Sequence, residues 1–294
     1  MTGRSPSVDS NLGKMLLLEF FGVGVEVTCT AADFEDLEFL YRKFVSPSAS
    51  PEVSVHLQCL DWPERGFFQS LLSKDGLRKR ITICRDGLPP EVSEFTSWST
   101  VPSPLPPFLH SRLWGRLASH PGAIVRLPDD RVLAIIGDHY VGKTSTMLEL
   151  CRRGSKLVSD SLMIFEAANS AAQTFQMPLG FRRSTLVELI PSLPSFDHRL
   201  SVSPDTGLVA LVHPEDILGE SNSPGGCVDL VLVLSKTGGE MVIESVSTPK
   251  LGWFSGAPAE LLESLLPAEA IAVRYPDGTS TECIANFIEM ELMR

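Results

Sequence analysis

The residues with the most recognisable chemistry form one loop, residues 137–144, which reads GDHYVGKT. This run matches GxxxxGK[ST], a pattern in which glycines let the backbone curl so that several N–H groups point at phosphate oxygens. Lys143 would add a positive charge for the terminal phosphates, and the Thr144 hydroxyl could ligate Mg²⁺. The residues predicted to wrap around a polyphosphate are Gly137, Asp138, His139, Tyr140, Val141, Gly142, Lys143 and Thr144.

The segments on either side of the loop are those that a phosphate-binding loop requires. Residues 123–127 (AIVRL) and 131–136 (RVLAII) predict two strands joined by a turn at 128–130. Residues 144–153 (TSTMLELCRR) predict a helix closed by Gly154. A helix that starts at the loop would direct its positive dipole end at bound phosphate. The alternative, a glycine-rich turn with an incidental lysine, is disfavoured because strand, loop and helix agree.

An aspartate follows at a distance that could return it to the loop. Asp160 lies seventeen residues after Lys143, at the end of a short predicted strand, 156–158. One helix and one turn fill this gap, so the strand can bring Asp160 to the sheet edge that carries the loop. There the carboxylate could hold Mg²⁺ or take a proton from a hydroxyl. The alternative is a turn-forming aspartate that ends the strand.

A histidine and an arginine pair have less certain positions. His120 precedes the two predicted strands. If those strands pair through the turn at 128–130, we expect His120 near the start of the second strand, away from the loop, unless the chain bends. A surface or capping histidine is the alternative. Arg182 and Arg183 follow a predicted loop and could equally be a solvated basic pair.

Proline density divides the chain. Residues 101–107 read VPSPLPP, and proline neither donates to a strand ladder nor leaves its predecessor free, so this stretch predicts a semi-rigid connector. Alternating apolar runs and a helical pattern at residues 33–44 predict a small α+β module before it. We therefore predict an N-terminal module over 1–100, a linker over 101–109 and a P-loop domain over 110–294.

Two further patterns are interpreted as structural. Residues 228–234 (VDLVLVL) and 241–246 (MVIESV) predict a strand pair around residues 236–240. Cysteines stand at positions 29, 59, 84, 151, 227 and 283, without a CxxC spacing or a Cys/His cluster. This scatter predicts buried, reduced thiols and no zinc site.

Length and composition exclude several classes of protein. The chain has 294 residues, of which 43% are hydrophobic and 21% charged, as expected for a globular protein with a buried core. A net charge of −11 argues against binding nucleic acid through a broad basic face. No stretch approaches the ~20 apolar residues of a membrane span, and the polar first residues show no secretory signal. We expect a cytoplasmic protein that binds neither nucleic acid nor membrane.

The order of these segments resembles the HPr kinase/phosphorylase family and its smaller HPr-kinase-like relatives. The resemblance is carried by His120, the stretch AIVRLPDDRVLAIIGDHYVGKTS and the stretch CRRGSKLVSDSLMIFE. Residues 177–183 (MPLGFRR) look like the family's proline-containing segment, which a basic residue follows. The match covers roughly residues 110–260. It implies an α/β fold with a P-loop and a mixed sheet of the phosphoenolpyruvate-carboxykinase/HPr-kinase-like type.

The resemblance implies a kinase that uses ATP and Mg²⁺ to phosphorylate a hydroxyl, that of a serine in a protein or peptide. By analogy, Ser145 would join the loop residues in binding ATP, and Thr144 and Asp160 would hold the metal. The sequence does not determine the oligomeric state, and a homo-oligomer is compatible with it.

Catalytic roles also follow from the resemblance. Asp160 would be the general base or a metal ligand, and His120 matches the family's active-site histidine. Arg182 or Arg183 would stabilise the charge on the transferred group, and Arg183 is the one that we predict.

The sequence departs from the family pattern at two places. The family's aspartate pair is here Asp160-Ser161, and Ser161 can offer a neutral oxygen to Mg²⁺ but cannot act as a base. The loop centre carries the bulky His139 and Tyr140 where small residues are usual. Two alternatives stand beside the protein kinase. One is a small-molecule kinase on the same core, and the other is a nucleotide-binding regulator without turnover, which Ser161 favours.

Overall fold

The structure is a computed structural model. It describes residues 13–60, 66, 78–85, 87–95, 111–203, 207–219 and 223–292. The chain divides into two compact units, residues 1–110 with 199–209, and residues 111–198 with 210–294. The predicted linker at 101–109 lies outside the described residues. The division into an N-terminal module over residues 1–100 and a P-loop domain over residues 110–294 stays a prediction.

The first unit contains a five-stranded sheet in the order β1-β2-β3-β4-β5. Its elements are β1 (Lys14–Phe20), β2 (Val23–Cys29), α1 (Ala31–Leu40), a 3-10 helix (Arg42–Phe44), β3 (Pro51–Cys59), β4 (Lys79–Arg85) and β5 (Glu91–Phe95). In β1 the alternate residues Leu16, Leu18 and Phe20 are buried, because successive side chains of a strand point to opposite faces. The strands and the helix predicted for this part of the chain are present.

The second unit contains short strands in consecutive runs, with helices between the runs. Its elements are α2 (Ser111–Trp114), β6 (Leu117–His120), β7 (Ala123–Arg126), β8 (Val132–Gly137), α3 (Lys143–Arg152), β9 (Lys156–Ser159), β10 (Met163–Glu166), β11 (Ala171–Gln173), β12 (Leu179–Arg182), α4 (Arg183–Leu189), a 3-10 helix (Leu193–Ser195), α5 (Pro214–Leu218), β15 (Gly226–Cys227), β16 (Leu230–Thr237), β17 (Val242–Ser247), α6 (Ala259–Glu263), β18 (Glu269–Pro276) and α7 (Thr281–Leu292). The division between the units falls within β13 (His198–Ser203) and β14 (Gly207–Val212).

A six-stranded mixed sheet carries the candidate site, in the order β17-β18-β16-β8-β7-β9. β16 is parallel to both β18 and β8, while β7 is antiparallel to both β8 and β9. Strands β8, β9, β16 and β18 therefore run in one direction, and their carboxyl ends lie at one edge of the sheet. A mixed α/β sheet that leads into the P-loop is the fold class that the sequence predicted.

The strand before the loop is apolar because it lies inside the sheet with neighbours on both sides. Every residue of β8 from Val132 to Ile136 is buried. Ala134 and Ile136 pack in one cluster with Phe165 of β10. Burying each Val or Ile side chain contributes ~1.5–3 kcal/mol, so this packing holds the start of the loop in a fixed place.

The pairing predicted for residues 228–234 and 241–246 is wrong. Both stretches form strands, β16 and β17, but β18 lies between them and pairs with each. β16 instead pairs with β8 on its other side. The strand β18 adds its carboxyl end to those of β8, β9 and β16 at the edge that carries the loop.

The strand register does not fit the expected position of His120 near the start of the second strand. In the antiparallel pairing of β7 and β8, Ala123 lies opposite Ile135. The start of β7 is therefore beside the end of β8, where the loop begins. The Gly122 N–H donates to the Ser161 carbonyl at 3.4 Å, which ties this start to the residue after Asp160.

Among the described residues, no helix is both long and apolar enough to cross a bilayer. All six cysteines are free thiols. Cys29 is buried as predicted, whereas Cys227 is exposed, so the prediction of buried thiols is wrong for Cys227.

Candidate active site

The predicted loop joins β8 to α3 in a backbone conformation that requires glycine at both ends. Gly137 has φ +144°, and a Cβ there would lie 2.3 Å from the Leu234 carbonyl oxygen of β16. Gly142 is the N-cap of α3 in the left-handed conformation, with φ 85° and ψ 20°. The neighbouring strand and the turn into the helix therefore explain the two glycines of the motif.

The Lys143 side chain folds back over the loop. Its Nζ donates to the carbonyl oxygens of Gly137 at 2.8 Å and Asp138 at 2.7 Å. Burial lowers the pKa of Lys143 below the usual lysine range, while the charges of Asp160 and Asp138 oppose that shift. The ammonium group is thus held inside the curl of the loop, at the N-terminus of α3.

Asp160 lies beside Thr144, as its position after β9 predicted. The Thr144 hydroxyl donates to Asp160 at 3.0 Å from Oδ1 and 3.2 Å from Oδ2. The Ser161 hydroxyl also donates to Asp160, 3.1 Å from Oδ2. Burial raises the pKa of Asp160 above the usual carboxyl range, and these two hydrogen bonds and the charge of Arg182 oppose the rise.

The bulky centre of the loop lies on the outside. Asp138, His139 and Tyr140 are exposed, and the Tyr140 backbone is left-handed with φ +64°. The rings of His139 and Tyr140 have centroids 6.0 Å apart. Both side chains are thus exposed to solvent beside the glycines and Lys143.

The two arginines of the predicted pair act on different groups. Arg183 places its guanidinium 5.1 Å from the centroid of the Tyr140 ring, a cation–π contact on the outer side of the loop. Arg182 ends β12, and its charge lowers the pKa of Asp160. The structure therefore brings the charge of Arg182 to bear on the candidate base and places the predicted catalytic Arg183 against Tyr140.

His120 ends β6 and is half-buried. Its Nδ1 lies 3.0 Å from the Gly252 carbonyl oxygen, and its ring stacks edge-on with Trp253 at 5.6 Å. A carbonyl only accepts, so Nδ1 carries the proton of the neutral ring and Nε2 is left as the accepting nitrogen.

One residue at this edge, Tyr275, was not among those predicted from the sequence. Tyr275, near the end of β18, is buried and donates its hydroxyl to the Val141 carbonyl of the loop. A Cβ at Gly142 would lie 3.3 Å from the same hydroxyl. Burial raises the pKa of Tyr275 to about 12, so the phenol keeps its proton. Alternation in residues 269–276 could have revealed the strand, but no local pattern links it to the loop.

The residues at this edge fit a magnesium-bound nucleotide. Thr144, Ser161 and Asp160 present only oxygen atoms, the ligands that Mg²⁺ prefers. The left-handed Gly142 opens the first turn of α3, whose free N–H groups and dipole suit an anion. Lys143 adds the positive charge that a polyphosphate requires.

The sequence and the fold were compared with known proteins. No family model matches the chain. HPr kinase/phosphorylase from Bacillus velezensis is 33% identical over 127 residues, which are 35% of this chain and 40% of that protein. The match therefore spans less than half the length of that relative. The solved structure of the Hpr(Ser) kinase/phosphatase from Coxiella burnetii aligns with 60% of this chain and 96% of that chain, at 13% identity and a TM-score of 0.33. Over these 127 residues the sequence is similar to an HPr kinase/phosphorylase, the family that its motifs resemble.

Proposed function

We propose that this protein is a Mg²⁺- and ATP-dependent kinase that transfers the γ-phosphoryl group to a hydroxyl, that of a serine in a protein or peptide. The observation that carries the proposal is the joint placement of Lys143 and the Thr144–Asp160 pair at one sheet edge. A charge held inside a glycine-bounded loop, with an oxygen cluster beside it, suits phosphoryl transfer, which depends mainly on positioning and charge neutralisation.

Each residue would have a role that its contacts support. Lys143 and the amides of the loop would bind and orient the terminal phosphates. Thr144 and Asp160 would hold Mg²⁺, which when bound neutralises charge on the phosphates. Asp160 would also accept the proton of an acceptor hydroxyl, and Arg182 would offset charge near it, which its effect on the pKa of Asp160 supports. Beside these residues, the family resemblance adds His120 as a second proton acceptor, through its accepting nitrogen Nε2.

A protein acceptor is favoured by the relative. The protein from Bacillus velezensis is named for its action on HPr. We infer a protein or peptide as the acceptor of this chain for that reason, and the family resemblance adds the serine. A small-protein panel that includes HPr is the first set to test.

The experiment compares Lys143→Ala with the matched control Lys156→Ala, since Lys156 is an exposed lysine at the start of β9. Mg-ATP binding is measured by calorimetry, and transfer from γ-labelled ATP is followed across the acceptor panel. We expect Lys143→Ala to lower transfer by ~10²-fold or more, as removal of a preorganised charge stabiliser does. Lys156→Ala should behave like the unaltered protein. Equal transfer by the Lys143→Ala variant would reject the role of the loop.

A non-catalytic nucleotide-binding regulator is the second candidate. Ser161 favours it, because the family pattern that this sequence resembles has a second aspartate where this chain has a hydroxyl. Lys143-dependent binding of Mg-ATP without transfer to any acceptor, and without phosphate on the chain itself, would select the regulator over the kinase.

A further inference from the structure

Ser161 is exposed to solvent, although a hydrogen bond holds its hydroxyl group. The residue is exposed to solvent, yet its Oγ donates to Oδ2 of the buried Asp160 at 3.1 Å. Its backbone is left-handed, with φ +66°. This conformation is strained for a non-glycine residue, and such strain is concentrated at functional sites.

The surrounding chain holds Ser161 in that conformation. The residue lies between β9 and β10, and its carbonyl accepts from the Gly122 N–H at 3.4 Å. Both flanking strands are paired, β9 with β7 and β10 with β6. The backbone of Ser161 is thus fixed at both sides, and the hydroxyl stays against Asp160.

The same carboxylate oxygen receives a second hydroxyl. Thr144 Oγ1 lies 3.2 Å from Asp160 Oδ2, the oxygen that also accepts from Ser161. A general base must lie within about 2.6–3.2 Å of the hydroxyl from which it takes a proton. Ser161 already has the contact with Asp160 that an external acceptor would need, next to the first helical turn after the loop.

We propose that Ser161 is an intramolecular acceptor, so that the protein phosphorylates itself at this residue. This inference rests on the proposed kinase function. In the step, a bond forms between Ser161 Oγ and the γ-phosphorus of ATP, and the bond from that phosphorus to the bridging oxygen breaks. ADP leaves with the electron pair of that bond, and the hydroxyl proton passes to Asp160 and then to solvent.

Two physical consequences follow. An acceptor attached to the chain avoids the entropy of bringing two molecules together, which favours this reaction over transfer to a dilute external acceptor. The product carries a charge of about −1.5 to −2 beside Asp160. That charge would repel the phosphates of the next ATP, so phosphorylation of Ser161 limits further turnover.

The test incubates the full chain, pretreated with a phosphatase, with Mg-ATP and maps phosphate by peptide mass spectrometry. We expect phosphate on Ser161 to approach one per chain, with a first-order rate that is independent of protein concentration. Ser161→Ala and Ser161→Gly should both lose it, and the glycine variant also removes the backbone strain. Ser170→Ala is the matched control, because Ser170 is another serine with a positive φ, +55°.

The outcomes separate this inference from the proposed function. Calorimetry on the same preparation measures Mg-ATP binding and its dependence on Lys143. If Mg-ATP binds and an external acceptor is phosphorylated while Ser161 stays unmodified, the inference alone is overturned. A rate that rises in proportion to protein concentration overturns the intramolecular step. If Mg-ATP does not bind, both the inference and the proposed function fail.

Discussion

The Thr144 hydroxyl lies 3.0 Å from Oδ1 and 3.2 Å from Oδ2 of Asp160, although the two residues are on different elements. The contact exists because β8 and β9 run in the same direction with β7 between them. The segment after each strand therefore starts at the same sheet edge. The result is a buried carboxylate whose ionisation costs free energy in the folded chain.

Replacing Asp160 by Asn should stabilise the nucleotide-free protein while it suppresses transfer. Burial raises the pKa of Asp160, so removing the charge removes a desolvation cost. We expect Tm at neutral pH to rise by about 2–4 °C, the shift that ~1 kcal/mol produces in a protein of this size class. Calorimetric melting measures Tm, and labelled ATP measures transfer.

The pH dependence of that gain has a definite sign. Because the folded pKa of Asp160 is raised, its contribution to stability is greatest when pH is below the unfolded value and is lost as pH rises through the folded value. The Tm advantage of Asp160→Asn should therefore grow from acidic to neutral pH. A gain that shrinks as pH rises would contradict the burial argument.

The transfer measurement on the same variant separates two roles of Asp160. If Asp160→Asn loses only nucleotide affinity and keeps the transfer step, Asp160 is a metal ligand and not the base.

Replacing Tyr275 by Phe should loosen the loop without emptying the core. The change leaves the Val141 carbonyl without the hydroxyl that donates to it. Losing one partner of a buried group costs ~1–3 kcal/mol, so we expect Mg-ATP binding to weaken by about tenfold, equivalent to ~1.4 kcal/mol. Calorimetric titration provides the measurement. Tyr41→Phe, which alters a buried tyrosine of the first unit, should leave the affinity unchanged. Equal affinities in both variants would remove Tyr275 from the site.

Replacing Arg182 and replacing Arg183 should have different effects on the pH dependence of the transfer rate. The charge of Arg182 lowers the pKa of Asp160, so Arg182→Gln should move the acidic limb of the transfer rate to higher pH. Arg183→Gln should leave that limb in place, because Arg183 contacts Tyr140 instead. The rate of transfer measured across pH for both variants decides between them. A shift produced by Arg183→Gln alone would restore Arg183 as the residue next to the reacting groups.

A buried ion pair in the first unit should dominate its stability. Lys79 Nζ lies 2.7 Å from Asp33 Oδ1, and the two side chains are 1% and 0% exposed. Lys79→Met would leave a buried charge without this cation, which costs ~3–5 kcal/mol. The neighbouring Arg80, in an exposed pair with Glu94, serves as control, and Arg80→Ala should cost ~0–1 kcal/mol. Urea unfolding followed by circular dichroism measures both. Equal small losses would show that the buried pair contributes no more than an exposed one.

Local patterns in the sequence were sufficient for the loop and its neighbours. Glycine spacing, apolar runs and the helix stop at Gly154 predicted the strand, loop and helix at 123–153. The placement of Asp160 also followed, since one helix and one turn return the next strand to the same edge. These features depend on residues close together in the chain, and local sequence determines them.

Long-range pairing decided the rest, and only the tertiary structure contains it. β18 inserts between β16 and β17 and so brings Tyr275 to Val141, a contact between residues 134 positions apart. The register of β7 against β8 places the start of β7, which follows His120 in the chain, beside the end of β8 where the loop begins. Arg182 and Arg183 are neighbours in sequence, yet the turn from β12 into α4 separates their partners. Apolar alternation predicts that a strand exists. It does not predict which strand lies beside it, because many pairings bury the same side chains equally well.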